Sequence, residues 1–298
     1  MLLNEEIKHR AGFVNILGKP NVGKSTLLNA MVGEKLSIIT SKAQTTRHRI
    51  QGIISTEEYQ IVFSDTPGIL DPNYKLQEIM LKSARSALSD ADIFLYLTDA
   101  REEPGMDEYF IQRLKKSKIP TLLLINKIDL IDQERLEQLV EKWGILLPNA
   151  ELFPISALKN FNIDSVFKRI LGLLPVSPPY YPKDILTDKS ERFITGEFIR
   201  EKILLHYKQE IPYSVEIEVE SFKEENNIIR IRSVIYVEKD SQKGILIGHQ
   251  GQMLKRIGRE ARLEMERFFN KKIFLELFVK VRKDWRNSDR DLKNFGYR

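Results

Sequence analysis

Gly18-Lys19-Pro20-Asn21-Val22-Gly23-Lys24-Ser25 is an unbroken G-x-x-x-x-G-K-[ST]. This is the phosphate-cradling loop of a nucleoside triphosphatase. The apolar run Phe13-Val14-Asn15-Ile16-Leu17 before it reads as a buried strand. Thr26-Leu27-Leu28-Asn29-Ala30-Met31-Val32 after it carries no breaker and reads as a helix. A strand, a glycine loop and a helix N-terminus set successive backbone N–H groups around one anion. The candidate amides run over Asn21, Val22, Gly23, Lys24, Ser25 and Thr26. Lys24 supplies a point charge for the outer phosphates, and the Ser25 hydroxyl can ligate Mg²⁺.

Further out, three more signals follow strand-like runs. Asp65-Thr66-Pro67-Gly68 follows Tyr59-Gln60-Ile61-Val62-Phe63. An Asp at such a strand end is where this fold holds the Mg²⁺ shell, and Gly68 leaves room for its N–H to approach a γ-phosphate. Asn126-Lys127-Ile128-Asp129 follows Leu122-Leu123-Leu124-Ile125. A carboxylate at Asp129 can accept from the N1–H and N2–H₂ edge of guanine. Adenine lacks that donor pair and would leave a buried Asp129 unpaired. Ser156-Ala157-Leu158 follows Leu152-Phe153-Pro154-Ile155 and can offer backbone N–H to the guanine O6. Each signal is weak alone, but all four stand in the right order at strand C-terminal ends, where open α/β sheets bind ligands.

With 298 residues and 42% apolar content, the chain has room for two packed cores. No run reaches the ~18–20 apolar residues of a membrane span. The start, Met1-Leu2-Leu3-Asn4-Glu5-Glu6, lacks the pattern of a signal peptide or presequence. Without cysteine there are no disulfides or thiolate metal sites, and the expected setting is the cytosol. The net charge of +5 is unevenly placed: residues 1–192 hold 25 basic and 25 acidic side chains, and residues 193–298 hold 22 and 17. A basic second half points to a polyanion partner, or to an ordinary solvated basic face. Leu174-Pro175-Val176-Ser177-Pro178-Pro179-Tyr180-Tyr181-Pro182 has four prolines in nine residues and reads as a semi-rigid linker. The expected division is therefore a nucleotide domain over 1–176, a linker over 177–191 and a second domain over 192–298. Alternating strands and helices before the linker predict an α/β, doubly wound, mostly parallel sheet.

The second domain has its own signature. Phe193–Gln209 reads as an amphipathic helix, and Ser214–Glu220 alternates as a half-buried strand partnered by Ile228–Val237. Gly248-His249-Gln250-Gly251 then precedes a long basic helix over Gln252–Asn270, and Lys272–Val281 closes as a strand. A G-x-x-G between two helices in an α-β-β-α-α-β order is the α+β layout of a type II KH domain. Its glycines let the loop approach a nucleic-acid backbone, and an adjacent groove takes about four unstacked nucleotides. The candidate contacts are Lys243, Gly248, His249, Gln250, Gly251, Lys255, Arg256 and Arg259, with Arg262 further along the helix. The loop lacks a basic residue between its glycines. His249 can gain charge at mildly acid pH, or remain an ordinary neutral loop histidine. Trp285, in a basic tail, either stacks on a base or packs under the last strand.

Taken together, Gly18–Ser25, Gln44-Thr45-Thr46-Arg47-His48-Arg49, Asp65–Gly68, Asn126–Asp129, Ser156–Leu158 and Gly248–Gly251 resemble the Era family, bacterial GTPases that join a G domain to a KH domain. The resemblance spans essentially the whole chain. It implies GTP/GDP and Mg²⁺ as cofactors, and the 3′ end of 16S rRNA and the 30S subunit as partners. It further implies a cytoplasmic, monomeric protein, with peripheral contact to the inner membrane in some members. By the same resemblance Thr46, with Thr45 as rival, joins Ser25 and Asp65 as a Mg²⁺ ligand. Lys24, Thr46 and Gly68 then carry the catalytic step. Ile69 stands where related enzymes carry a water-orienting glutamine, so slow intrinsic hydrolysis is expected. Three alternatives stay open on sequence: a P-loop ATPase or kinase, an RNA partner such as tRNA, and a nucleotide-gated RNA-binding module with negligible turnover.

Overall fold

The computed structural model describes residues 9–42, 44–68, 72–105 and 108–297. The chain groups into two compact units. One takes in residues up to Ser37, Thr46–Leu70 and Met80–Asp188; the other takes in Lys189–Arg298 together with Ile38–Thr45 and Asp71–Ile79.

Up to Leu173 the elements are β1 (Arg10–Leu17), α1 (Lys24–Val32), β2 (Ile50–Ser55), β3 (Tyr59–Asp65), α2 (Lys75–Ser86) and β4 (Ile93–Asp99). They continue as α3 (Glu108–Lys116), β5 (Thr121–Asn126), α4 (Gln133–Leu146), β6 (Glu151–Pro154) and α5 (Ile163–Leu173). The strands form one sheet of order β2-β3-β1-β4-β5-β6. All neighbours are parallel except β2 and β3, whose short connection over 56–58 is too brief for a crossover. Strands β4 and β5 are buried throughout, and they read as near-continuous apolar runs as a strand covered on both faces must. The chain moves outward from β1 to β3 on one side and to β4 on the other, so the glycine loop after β1 lies at the switch point of the sheet. Register aligns the strand ends: Ile16 pairs with Asp65, and Asp99 with Asn126.

The proline-rich stretch is a strap on the sheet rather than a free spacer. Arg10 bridges to Val176 and Gly52 to Thr187. Gln60, fully buried, accepts the N–H groups of Tyr180 at 2.7 Å and Tyr181 at 2.9 Å and donates to the Tyr181 carbonyl at 2.8 Å. The Tyr180 and Phe13 rings lie 4.8 Å apart. Proline fixes an extended backbone, but side chains over a hundred residues upstream hold it in place.

From Glu191 the elements are α6 (Glu191–His206), α7 (Ile211–Ser214), β7 (Glu216–Glu224), β8 (Ile228–Val237), α8 (Asp240–Ile247), α9 (Gln252–Phe269), β9 (Lys272–Val281) and α10 (Asp289–Asn294). Helix α6 starts at Ser190, whose hydroxyl accepts the Phe193 N–H at 3.3 Å. The sheet order is β7-β8-β9, with β7–β8 antiparallel and β8–β9 parallel. The α8–α9 pair makes the crossover that parallel pairing requires. Its core joins Phe198, Ile199 and Ile203 of α6 to Ile231 and Ile235 of β8 and Ile257, Ala261 and Met265 of α9. Trp285 belongs to the interior: it is fully buried and its Nε1 donates to the Ser214 carbonyl at 2.9 Å, so it packs rather than stacks on a base. Among the described residues no helix is long and apolar enough to cross a membrane.

Candidate nucleotide-binding site and nucleic-acid interface

The glycine loop is shaped by its backbone signs. Gly18, Asn21 and Gly23 have φ of 141°, 62° and 105°, the left-handed turns that aim successive N–H groups at one point. Close approach forces glycine at both ends. A Cβ on Gly18 would stand 2.3 Å from the Leu97 carbonyl, and one on Gly23 would stand 2.3 Å from Asn126 Nδ2. Lys24 is nearly buried, and its ammonium donates to the carbonyls of Gly18 at 2.9 Å and Lys19 at 2.7 Å. It is thereby held across the loop.

Oxygen donors converge beside it. Ser25 Oγ lies 2.6 Å from Asp65 Oδ2 and 2.9 Å from Thr46 Oγ1, and Thr46 Oγ1 lies 3.3 Å from Asp65 Oδ2. Thr45 is turned away: its hydroxyl donates to the Lys42 carbonyl at 2.6 Å. Of the two threonines, only Thr46 is brought to Ser25 and Asp65. Burial pushes the Asp65 carboxyl up, against the Lys24 charge and the hydroxyls of Ser25, Ser37 and Thr46, which pull it down. Its Oδ1 is buried without a hydrogen-bond partner. An orphaned buried carboxylate oxygen beside two hydroxyls is a hard donor set, and it fits Mg²⁺. Gly68 approaches the loop closely, since a Cβ there would stand 2.6 Å from Pro20 Cα. Ile69 lies outside the described residues.

The candidate base-reading residues are braced from one side chain. Asn126 donates from Nδ2 to the Val22 carbonyl at 2.7 Å and accepts at Oδ1 from the Ala157 N–H at 2.9 Å. It ties the phosphate loop to the Ser156–Leu158 turn. That bond changes which amides of the turn are available. The Ser156 N–H goes to the Phe161 carbonyl and the Ala157 N–H to Asn126, which leaves the Leu158 N–H. Asp129, expected to be buried, is exposed, so discrimination between bases there would require a base laid over it.

Lys127 donates to the Asn21 carbonyl at 2.5 Å and to Asp99 Oδ2 at 2.7 Å. Asp99 was not singled out from the sequence, although it closes an apolar run as Asp65 does. Burial works to raise its pKa, but hydrogen bonds from Arg101 and Lys127 outweigh this and pull it down to about 2.

In the second unit, α8 ends at Gly248 with φ 70°, followed by Gln250 at 48° and Gly251 at 74°. The two glycines are not equivalent: a Cβ on Gly248 would meet Met253 Cγ at 2.8 Å, whereas Gly251 faces open space. Tyr207, also missed in the sequence, fixes the loop's entrance by donating from its hydroxyl to the Leu246 carbonyl at 2.6 Å. His249, Gln250, Lys255, Arg256 and Arg259 are exposed and Lys243 is half-buried. Arg256 pairs with Glu260 at 3.0 Å and Arg262 with Glu266 at 3.6 Å. Among the described residues Lys243, Lys255 and Arg259 make no ion pair.

Comparison with known proteins covers both sites. Residues 13–127 match the family described as 50S ribosome-binding GTPase, and residues 210–286 match the KH domain family. GTPase Era of Ruminiclostridium cellulolyticum is 47% identical over 294 residues, 98% of this chain and 99% of that protein. GTPase Era of Syntrophus aciditrophicus is 49% identical over 98% of this chain and 96% of that protein. Two solved structures each superpose with a TM-score of 0.92 at 39% identity, covering 97% of this chain and 99% of theirs. One is Era in complex with MgGDPNP and nucleotides 1506–1542 of 16S ribosomal RNA; the other is a variant of Aquifex aeolicus Era bound to GDP and AlF4⁻. Near-full-length identity of this order, over a fold that carries the phosphate loop, the Asn126–Asp129 segment and the Gly248–Gly251 loop together, makes the chain a member of the GTPase Era family.

Proposed function

We propose that this GTPase binds RNA at the 3′ end of 16S rRNA and assists assembly of the 30S ribosomal subunit, with its nucleotide state setting when it does so. One observation carries the reading. A relative solved with MgGDPNP and 16S nucleotides 1506–1542 aligns over 97% of this chain, so the alignment takes in both candidate sites. In this reading Mg²⁺, when bound, neutralises charge on the β- and γ-phosphate oxygens. Ser25, Thr46 and Asp65 would hold it. Lys24 stabilises charge that develops in the transition state, and the Gly68 N–H faces the γ-phosphate. Asp129 accepts from the guanine N1–H and N2–H₂ edge, and the Leu158 N–H remains for O6. Loss of the γ-phosphate releases the segments that hold Thr46 and Gly68, the order–disorder step of a switch. With Ile69 unable to orient water, turnover in isolation is slow. In this reading the protein works in the cytoplasm as a monomer, and any inner-membrane contact is peripheral.

The test uses Gly251→Asp. Position 251 is left-handed, which Asp tolerates, and opens on free space, so the variant should fold and add one negative charge to the loop. Binding to a 16S 3′-end oligonucleotide should fall by at least about tenfold while GTP affinity holds. Unchanged RNA affinity would remove the loop from the interface. Equal wild-type binding to tRNA or to large-subunit RNA would remove the small subunit from the reading. In parallel, Asp129→Asn should weaken GTP and favour xanthosine triphosphate.

A further inference from the structure

One amide breaks the apolar run of β1. Asn15 stands between Val14 and Ile16 and is fully buried, as they are. Its Nδ2 donates to the Ala87 carbonyl at 2.6 Å and to Asp90 Oδ1 at 2.7 Å. Its Oδ1 accepts from Arg49 Nη2 at 3.1 Å. The Arg49 side chain, 17% exposed, forks onto Asp90, Nη1 to Oδ2 at 2.6 Å and Nη2 to Oδ1 at 3.0 Å. Its Nε donates to the hydroxyl of Ser64, which is fully buried. Asn15, Arg49, Ser64 and Asp90 all belong to the first unit.

Two of these residues stand close in sequence to candidate Mg²⁺ donors. Ser64 directly precedes Asp65 in β3, and Arg49 follows Thr46 by three positions, just before β2. Register sets Ile50 opposite Asp65 and Asn15 opposite Ser64. Successive side chains of a strand point to opposite faces. The network therefore lies on the face of β3 away from the Asp65 carboxyl. From there one guanidinium ties the segment of Thr46 to the strand of Asp65.

Burying an amide and a charged pair is unfavourable unless bonds compensate. Apolar side chains would pack β1 without that cost. They would not hold two segments at a set distance and angle, as a planar, multi-donor fork does. A Mg²⁺ site demands near-ideal octahedral geometry. Its candidate oxygens here, on Ser25, Thr46 and Asp65, come from three separate segments. Ser25 and Asp65 lie in α1 and β3, but Thr46 lies outside regular structure, and β2 begins only at Ile50. The place of Thr46 therefore depends on what anchors its neighbours.

We propose that Arg49 is a positioning residue for the GTP-bound site: clamped by Asn15 and Asp90 and bonded to Ser64, it fixes the Thr46 segment against the Asp65 strand from the opposite face of the sheet. The inference rests on Thr46 acting in the GTP state, as read above. GDP binding, which does not call on Thr46, should be nearly indifferent to Arg49.

The experiment compares wild type, Arg49→Lys, the neutral Arg49→Gln/Asp90→Asn pair and Thr46→Ala. Arg49→Lys keeps the charge opposite Asp90 and loses the fork. The double variant leaves neither charge without its partner, and it takes over the readout should the lysine variant fail to fold. Dissociation of a fluorescent non-hydrolysable GTP analogue should speed up about tenfold in the Arg49 variants, and the Mg²⁺ needed for half-maximal retention of that analogue should rise with it. Dissociation of fluorescent GDP should change by less than about twofold. Equal effects on both nucleotides would mean a merely structural role, and no effect on either in folded protein would also overturn the proposal. Thr46→Ala separates the levels. Selective loss of the GTP analogue in that variant with none in the Arg49 variants sinks this inference alone. Thr46→Ala without selectivity sinks the reading of Thr46, and the inference with it.

Discussion

Asp99 closes β4 as a carboxylate only 3% exposed, and its two cationic partners decide its state. Arg101 Nη2 and Lys127 Nζ each lie 2.7 Å from its Oδ2. Lys127 also reaches the Asn21 carbonyl, so this carboxylate orients a side chain that stabilises the phosphate loop. With its pKa held down at about 2, Asp99 binds fewer protons in the folded chain than in the unfolded one as the pH drops. Its stabilisation is therefore complete above the unfolded value of about 3.9 and is lost as pH falls toward 2. Asp99→Asn should lower the melting temperature by roughly 3 °C or more between pH 5 and 8. The gap between wild type and variant should stay constant over that range and narrow only below about pH 4. A gap that already varied between pH 6 and 8 would assign the effect to another group. The same variant should release nucleotide faster, because Lys127 loses its anchor.

At the scale of elements, the strap over 174–188 is bridged to the sheet near both ends, at Val176 and Thr187, and its middle at Tyr180 and Tyr181 is held by one buried amide. Gln60 sits inside β3 and takes up two strap N–H groups and one carbonyl. Gln60→Ala would strand these groups, each worth about 1–3 kcal/mol when left unpaired. The strap should then lift while the sheet persists, and limited proteolysis should cut between Ser177 and Asp188 well before the rest of the chain. Cleavage elsewhere first would refute the anchoring role. This element also shows what the sequence could and could not say. The prolines announced a break, and the breaker signal is local. What the break adheres to is set by Gln60, some 120 positions earlier, and nothing near Tyr180 or Tyr181 encodes it. The strands were legible because buried parallel strands write themselves as apolar runs, and the nucleotide residues because each ends such a run. Asp99 carried the same signal and was passed over only because no motif covers it. Tyr207, and the brace that Asn126 makes between the phosphate loop and the Ser156–Leu158 turn, were illegible for a different reason. Each acts on a backbone group of a distant segment, and a backbone carbonyl has no letter in the sequence. The short helices α7 and α10, of four and six residues, have too few turns to show a period.

For the molecule as a whole, charge separates two kinds of anion binding. The first 192 residues are neutral in sum, and residues 193–298 hold the excess, 22 basic against 17 acidic. A triphosphate in the first unit would be gripped by loop amides and a nearly buried lysine, interactions that mobile ions screen little. An RNA strand on the second unit would meet solvent-facing cations and release counterions as it bound. Not every cation there is available. Arg256 and Arg262 are engaged by Glu260 and Glu266, so their charge is largely spent inside α9. Of the candidate contacts beside the Gly248–Gly251 loop, Lys243, Lys255 and Arg259 make no ion pair among the described residues and can neutralise phosphates. Each phosphate neutralised on a single strand contributes about 0.7 to the slope of log affinity against log salt, so three contacts predict a slope near −2. Arg259→Gln should make that slope shallower by about 0.7, whereas Arg256→Gln, which removes a cation already paired, should change it less. GTP affinity measured across the same salt series should stay nearly flat in all three proteins. An RNA slope close to zero would mean that the loop reads its strand through backbone amides and stacking alone. Equal slopes for Arg256→Gln and Arg259→Gln would mean that the Arg256–Glu260 pair opens when RNA arrives.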